Sequence, residues 1–147
     1  MSKQLTFEHE FQYPIEDVYK VIKEQQLLFF QHYDNSIKDL SEGIEIKKQM
    51  YTKTSNKEIP VKMCVRKLID NQHMEVVTKY YEGDIVTTYL FENLNGKTRL
   101  TYIEENHFNK TRNEMNFHLI SFFYNWMYKR NMKKRMQYVE SLLSEEN

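Results

Sequence analysis

The chain predicts an α+β fold in which one long C-terminal helix lies across an antiparallel sheet. Three observations predict it. From Thr111 to Asn147 there is neither Gly nor Pro. From Gly43 onward, apolar residues recur with a period of two, segment after segment. Tight-turn signals separate those segments. The strongest is Asn95-Gly96, since both residues tolerate the positive φ of a type I′ hairpin turn.

The elements follow in order. Leu5, Phe7, His9, Phe11 and Tyr13 alternate with Thr6, Glu8, Glu10 and Gln12, the pattern of a half-buried strand. Pro14 ends it and suits a helix start, because its φ is already helical and its missing N–H would be unpaired there. Glu16 and Asp17 complement the helix dipole, and Ile15, Val18, Tyr19 and Ile22 form the apolar stripe. The helical pattern runs towards Tyr33 with a break expected near Gln25-Gln26. A second short helix is expected around Ser36 to Leu40, closed by Gly43.

Ile44 to Thr52 then reads as a strand and Thr54 to Glu58 as a polar loop. Strands follow through Val61, Met63 and Val65, through Met74 to Tyr80, through Ile85 to Phe91, and through Leu100 and Tyr102. Thr111-Arg112-Asn113-Glu114 has the capping-box spacing at the start of the last helix. The expectation is one domain over residues 1–147, with about six to seven antiparallel strands, two short helices after the first strand, and a long closing helix.

Composition narrows the function. Lys plus Arg equals Asp plus Glu, so formal net charge is zero, which argues against a general nucleic-acid binder. Cys64 is the single cysteine, so no intrachain disulfide forms and a reducing, cytoplasmic home is expected. The longest apolar run, Leu27 to Phe30, is far too short for membrane insertion, and the N-terminus carries no apolar signal region. Alanine is absent, so the core is built from large side chains.

The element order, the segment Tyr13-Pro14-Ile15-Glu16-Asp17-Val18-Tyr19, the hairpins through Asn95-Gly96, and the ending Met132 to Leu143 together resemble the helix-grip fold of the START/Bet v 1-like (SRPBCC) superfamily. The resemblance covers essentially the whole chain and is closest to small bacterial stand-alone members of unknown function. It implies a curved sheet gripping the C-terminal helix, with lipid, sterol or polyketide binding, cyclisation and chaperone assistance among the family's activities. The fold does not choose among them.

At 100° per residue the closing helix carries two stripes. Phe117, Ser121, Tyr124, Asn125, Tyr128, Met132, Met136, Val139 and Leu143 form the continuous one, assigned to the sheet. Met115, Leu119, Phe122, Phe123 and Trp126 lie roughly opposite and stop at Trp126. That second stripe is covered within the molecule, forms a homodimer contact, or merges with the first through a kink. His118, Ser121 and Asn125 either point into a ligand cavity beside Tyr124 and Tyr128 or bond within a packed core.

Lys129-Arg130 and Lys133-Lys134-Arg135 form a basic cluster. It reads as a holder for phosphate, an acidic partner or a membrane surface, or as a solvated face complementing the helix dipole. Glu104-Glu105 is not a catalytic pair, because adjacent strand residues point to opposite faces. The five histidines have no metal-ligand spacing. No catalytic residue, metal site or cofactor is assigned.

The function expected is therefore a module binding a small apolar or aromatic molecule between sheet and helix. Tyr89, Tyr102, His118, Ser121, Tyr124, Asn125 and Tyr128 are its candidate lining. The alternative is an interaction or regulatory module acting through Phe122, Phe123 and Trp126. An enzyme ranks last, for want of an acid–base pair.

Overall fold

The structure, a computed structural model, describes residues 2–52, 55–81, 83–108 and 130–145. It is α+β. Strand β1 (Ser2–Phe11) leads into helix α1 (Ile15–Tyr33). Strands β2 (Glu45–Thr52), β3 (Ser55–Ile69), β4 (His73–Tyr80), β5 (Gly83–Leu94) and β6 (Lys97–Phe108) follow. Helix α2 spans residues 130–145. The strands form one antiparallel sheet in the order β1-β6-β5-β4-β3-β2. First and last strands pair, and α1 carries the chain from one sheet edge to the other.

Each element forms for a local reason. Pro14 caps α1 with extended backbone (ψ 152°), and its carbonyl accepts the Asp17 and Val18 N–H groups. The expected stripe is buried, joined by Val21 and Phe30. Two expectations for this region are corrected. The helix runs unbroken through Gln25-Gln26, since glutamine is a good helix former and nothing interrupts the backbone ladder. No second helix forms at 36–40. Instead the Asp34 carboxylate accepts both the Ser36 N–H at 3.1 Å and its hydroxyl at 2.6 Å, an Asx-type turn that competes with helical bonding.

The loop expected from Thr54 to Glu58 is also shorter than its composition suggests. β3 starts at Ser55 and Glu58 pairs with Tyr51, so cross-strand bonding overrides the polar composition. A register shift between Val65 and Lys67 bends β3. The Val65 carbonyl accepts the Gly43 N–H at 2.8 Å and the Val65 N–H donates to Ile44 at 2.9 Å, which ties the α1–β2 connection to the sheet. Lys47 and Lys48 lie on edge strand β2, where lysine discourages pairing with another chain. Asn71, Asn95 and Gly96 adopt positive φ (62°, 53° and 92°) at the hairpin turns.

One face of the sheet carries the core. Phe11, Leu100, Phe91, Tyr89, Met74, Val76 and Val65 are buried on it, under α1 and α2. From α2, Met132, Met136, Val139 and Leu143 are buried, as the i, i+4, i+7 spacing requires. Glu140 adds a polar tie, 2.7 Å from His9 Nε2 on β1. Thr98, fully buried, donates its hydroxyl to the Tyr13 carbonyl at 2.8 Å and pins the corner between β1 and α1. Among the described residues no helix is long and apolar enough to cross a membrane.

On the opposite face Arg66 bonds Glu75, and His73 Nε2 lies 3.6 Å from the same carboxylate. Partial burial raises the Glu75 pKa, but the hydrogen bond and charge of Arg66, with His73, outweigh it and hold the carboxyl below its ordinary 4.5.

Met136→Ala should destabilise the protein by about 2–5 kcal/mol in chemical denaturation, because it opens a cavity at the centre of the helix–sheet contact. Glu75 has a lowered folded-state pKa, so its contribution is present above the unfolded value and is lost as pH falls through the folded one. The stability gap between wild type and Glu75→Gln should therefore be open at neutral pH and close on acidification below 4.5. Denaturation midpoints across that range measure it, and a gap that persists at the acid end would contradict the assignment.

Candidate functional site

The Asn95-Gly96 hairpin sets the register that builds the site. The Asn93 side-chain oxygen accepts the Gly96 N–H at 3.1 Å, and the tight turn aligns β5 with β6 so that Tyr89 faces Tyr102 directly. The rings meet edge to face, centroids 5.1 Å apart at 79°, a favoured aromatic geometry. Both tyrosines are buried on the helix-covered face.

Arg135 of α2 sits above this pair. It is three residues on from Met132, so it flanks the buried stripe of its helix. Its guanidinium carbon lies 5.4 Å from the Tyr89 ring and 5.7 Å from the Tyr102 ring, and it donates to the Tyr89 hydroxyl. Burial of the guanidinium disfavours its charge. The Tyr89 and Tyr102 oxygens favour it more, and the pKa stays above the ordinary arginine value. The residue as a whole is exposed.

These three side chains line a cleft of about 570 Å³. Gln25, Gln26, Leu28 and Phe29 of α1 form one wall, and Met63, Val76 and Thr87 of the sheet form the floor. The opening is apolar as well as polar, since Leu28 and Phe29 are exposed. Lys48 of β2 stands beside it with Nζ 4.8 Å from the Phe29 ring and 5.2 Å from that of Tyr33. Aromatic rings, a thioether, hydroxyls, amides and one cation thus converge. That set suits holding a molecule; among the described residues, no paired acid and base lie in its lining.

Two other depressions are weaker candidates. One of about 340 Å³ lies beside Tyr19, where the charges pair internally. Lys23 is 3.7 Å from Asp39, and the Tyr19 hydroxyl donates to Asp70 at 3.4 Å. Burial, reinforced by the Asp70 charge, pushes the Tyr19 pKa up to about 12. The other, about 600 Å³ at the β2–β3 edge, is lined by Lys47, Lys48, Lys62 and Lys79. Of these, Lys47 and Lys48 serve the edge-protecting role already described, while Lys62 and Lys79 lie on β3 and β4.

Of the candidate lining residues, the structure brings Tyr89 and Tyr102 together. His118, Ser121, Tyr124, Asn125 and Tyr128 lie outside the described residues, as do Met115, Leu119, Phe122, Phe123 and Trp126 and the Thr111 to Glu114 capping box. Glu104 shares the face of Tyr102, opposite Thr87, while Glu105 lies on the other face 3.3 Å from His107. The sequence groups Arg135 with a basic cluster read either as a solvated face or as a holder for phosphate, an acidic partner or a membrane surface; the residue is exposed, and its guanidinium also reaches the tyrosine rings. Helix periodicity misses this because it says which flank a residue occupies, not what a long side chain reaches. Among the described residues no group of three or more His, Cys, Asp or Glu is placed to hold a metal ion.

Comparison with solved structures shows the fold. The chain is similar to TTHA0849 from Thermus thermophilus, with a TM-score of 0.64 at 12% identity over 99% of both chains. A protein from Arthrobacter aurescens gives a TM-score of 0.60 at 13% identity, covering 97% of this chain and 86% of its own. Ara h 8.0201 gives 0.55 at 10% identity, covering 97% and 95%. No curated protein matches the chain. A family model does match, over residues 5–125. The chain therefore belongs to the family described as Domain of unknown function (DUF3284).

Proposed function

We propose that this chain is a START/Bet v 1-like helix-grip protein and that it works as a binding module. It holds a small apolar or aromatic molecule in the cleft between the sheet, α1 and α2. The observation that carries this reading is the cleft itself, about 570 Å³ with Tyr89, Tyr102, Met63 and Val76 in its lining. That volume lies in the range of ordinary small-molecule sites, ~300–1,000 Å³, and apolar walls with a few convergent polar groups are their usual make-up. Likeness in fold to Ara h 8.0201, a Bet v 1 homologue, supports the superfamily assignment. Aromatic rings and a thioether would contact the apolar body, and the hydroxyls, amides and guanidinium would orient it. A binding role is favoured over catalysis because the described lining of the cleft has one cation and no acid–base pair.

The test uses N-phenyl-1-naphthylamine, an uncharged aromatic dye that brightens in apolar surroundings. Saturable uptake is expected in the wild type. Thr87→Trp, which places a large ring in the cleft, should weaken uptake by about tenfold or more while the circular dichroism spectrum is retained. Native mass spectrometry of protein from its own host should show a bound small molecule. An apo mass together with no saturable dye uptake would sink the reading, whatever the variant does.

A further inference from the structure

We propose that the ligand carries an anionic group, a carboxylate, sulfonate or phosphate, and that Arg135 receives it. This rests on the reading that the cleft holds a small molecule, and it narrows that molecule to an amphipathic anion: an apolar or aromatic body with one acidic end.

Among the described residues no acid meets the charge of Arg135. A cation held against protein surface is commonly met by an acid, because a charge-assisted pair is stronger than hydrogen bonds to neutral groups. Arg66 on the far face follows that rule with Glu75, as does Lys23 with Asp39. Arg135 does not. Among the described residues its partners are the neutral hydroxyls and ring faces of Tyr89 and Tyr102, with no carboxylate at ion-pair distance. None of the described residues lining the cleft is acidic. Lys48 at the neighbouring rim adds a second positive charge.

The geometry suits an anion as well as the charge does. Contact with two rings and a hydrogen bond to the Tyr89 hydroxyl hold the guanidinium at the cleft. The tyrosine hydroxyls engage part of its donor set, and among the described residues nothing else takes the remaining N–H groups, which suit an oxyanion in the paired arrangement that arginine forms with carboxylates and phosphates. Tyr89 and Tyr102 then hold the arginine in place while the apolar part of the ligand meets Met63, Val76 and Phe29. The exposure of Arg135 gives the acidic end a route to water.

Two dyes with the same aromatic body separate this inference from the one beneath it. 8-Anilino-1-naphthalenesulfonate differs from N-phenyl-1-naphthylamine only by its sulfonate. Both are titrated by fluorescence into wild type, Arg135→Gln and Lys134→Gln; Lys134 is the exposed neighbouring charge. Arg135→Gln is expected to weaken the sulfonated dye by about tenfold or more, the worth of a charge-assisted pair, and to leave the neutral dye within about twofold. Lys134→Gln should leave both dyes within about twofold of wild type, as expected of a solvated surface charge. The inference is overturned if the sulfonated dye binds Arg135→Gln as it binds wild type, or if Lys134→Gln weakens it equally, since diffuse charge would then explain the effect. Neutral-dye uptake combined with either result removes only the anionic end. Uptake of neither dye removes the binding reading too.

Discussion

An antiparallel sheet of six strands with one apolar face cannot leave that face in water, and two helices of unequal placement cover it. Burial of that face organises everything else in the molecule. Phe11, Leu100, Phe91, Met74 and Val65 supply the sheet's share, and Met132, Met136, Val139 and Leu143 supply the share of α2. Helix α1 carries the chain from β1 at one edge to β2 at the other and still buries Phe30 near its end. Its early residues Ile15, Val18, Val21 and Ile22 are buried, while Leu28 and Phe29 remain exposed beside the cleft. The cleft lies between the later turns of α1, the sheet and α2, with Leu28 and Phe29 exposed at its rim.

The tyrosine pair gains its meaning from that geometry. Between packed helix and sheet, Tyr89 and Tyr102 would be ordinary core residues with satisfied hydroxyls. At the margin of α2 their rings become a platform, and the platform holds an arginine that meets no acid among the described residues. A local choice, the Asn95-Gly96 turn, fixes which two tyrosines face each other. A distant one, the register of α2 on the sheet, decides which cation lies over them. The His9–Glu140 contact and the four buried side chains of α2 together set that register.

Elsewhere among the described residues the polar contacts mostly join elements of the fold, although His73 Nε2 and Asn106 Nδ2 are buried without a hydrogen-bond partner. The Arg66–Glu75–His73 group and the Tyr19–Asp70 contact have partners within the fold and tie one element to another. Arg66 meets an acid; in the cleft, Arg135 meets aromatic rings.

Secondary structure was largely legible in the chain, because periodicity and turn chemistry are local. Alternation from Leu5 to Phe11, the buried faces of α1 and α2, and the positive-φ hairpin at Asn95-Gly96 all follow from neighbours within a few residues. The stretch after Tyr33 was not, since there Asp34 captures Ser36 and a helical turn loses to a competing side-chain bond. Tyr89 and Tyr102 could be named in advance, because aromatic residues at inward strand positions are visible from alternation. That Arg135, separated from Tyr89 by 46 positions, reaches those rings came from the packing of distant elements. The reason is physical: a helix pattern specifies a direction from the axis, whereas the partner at the end of a long, flexible side chain depends on how two distant elements dock.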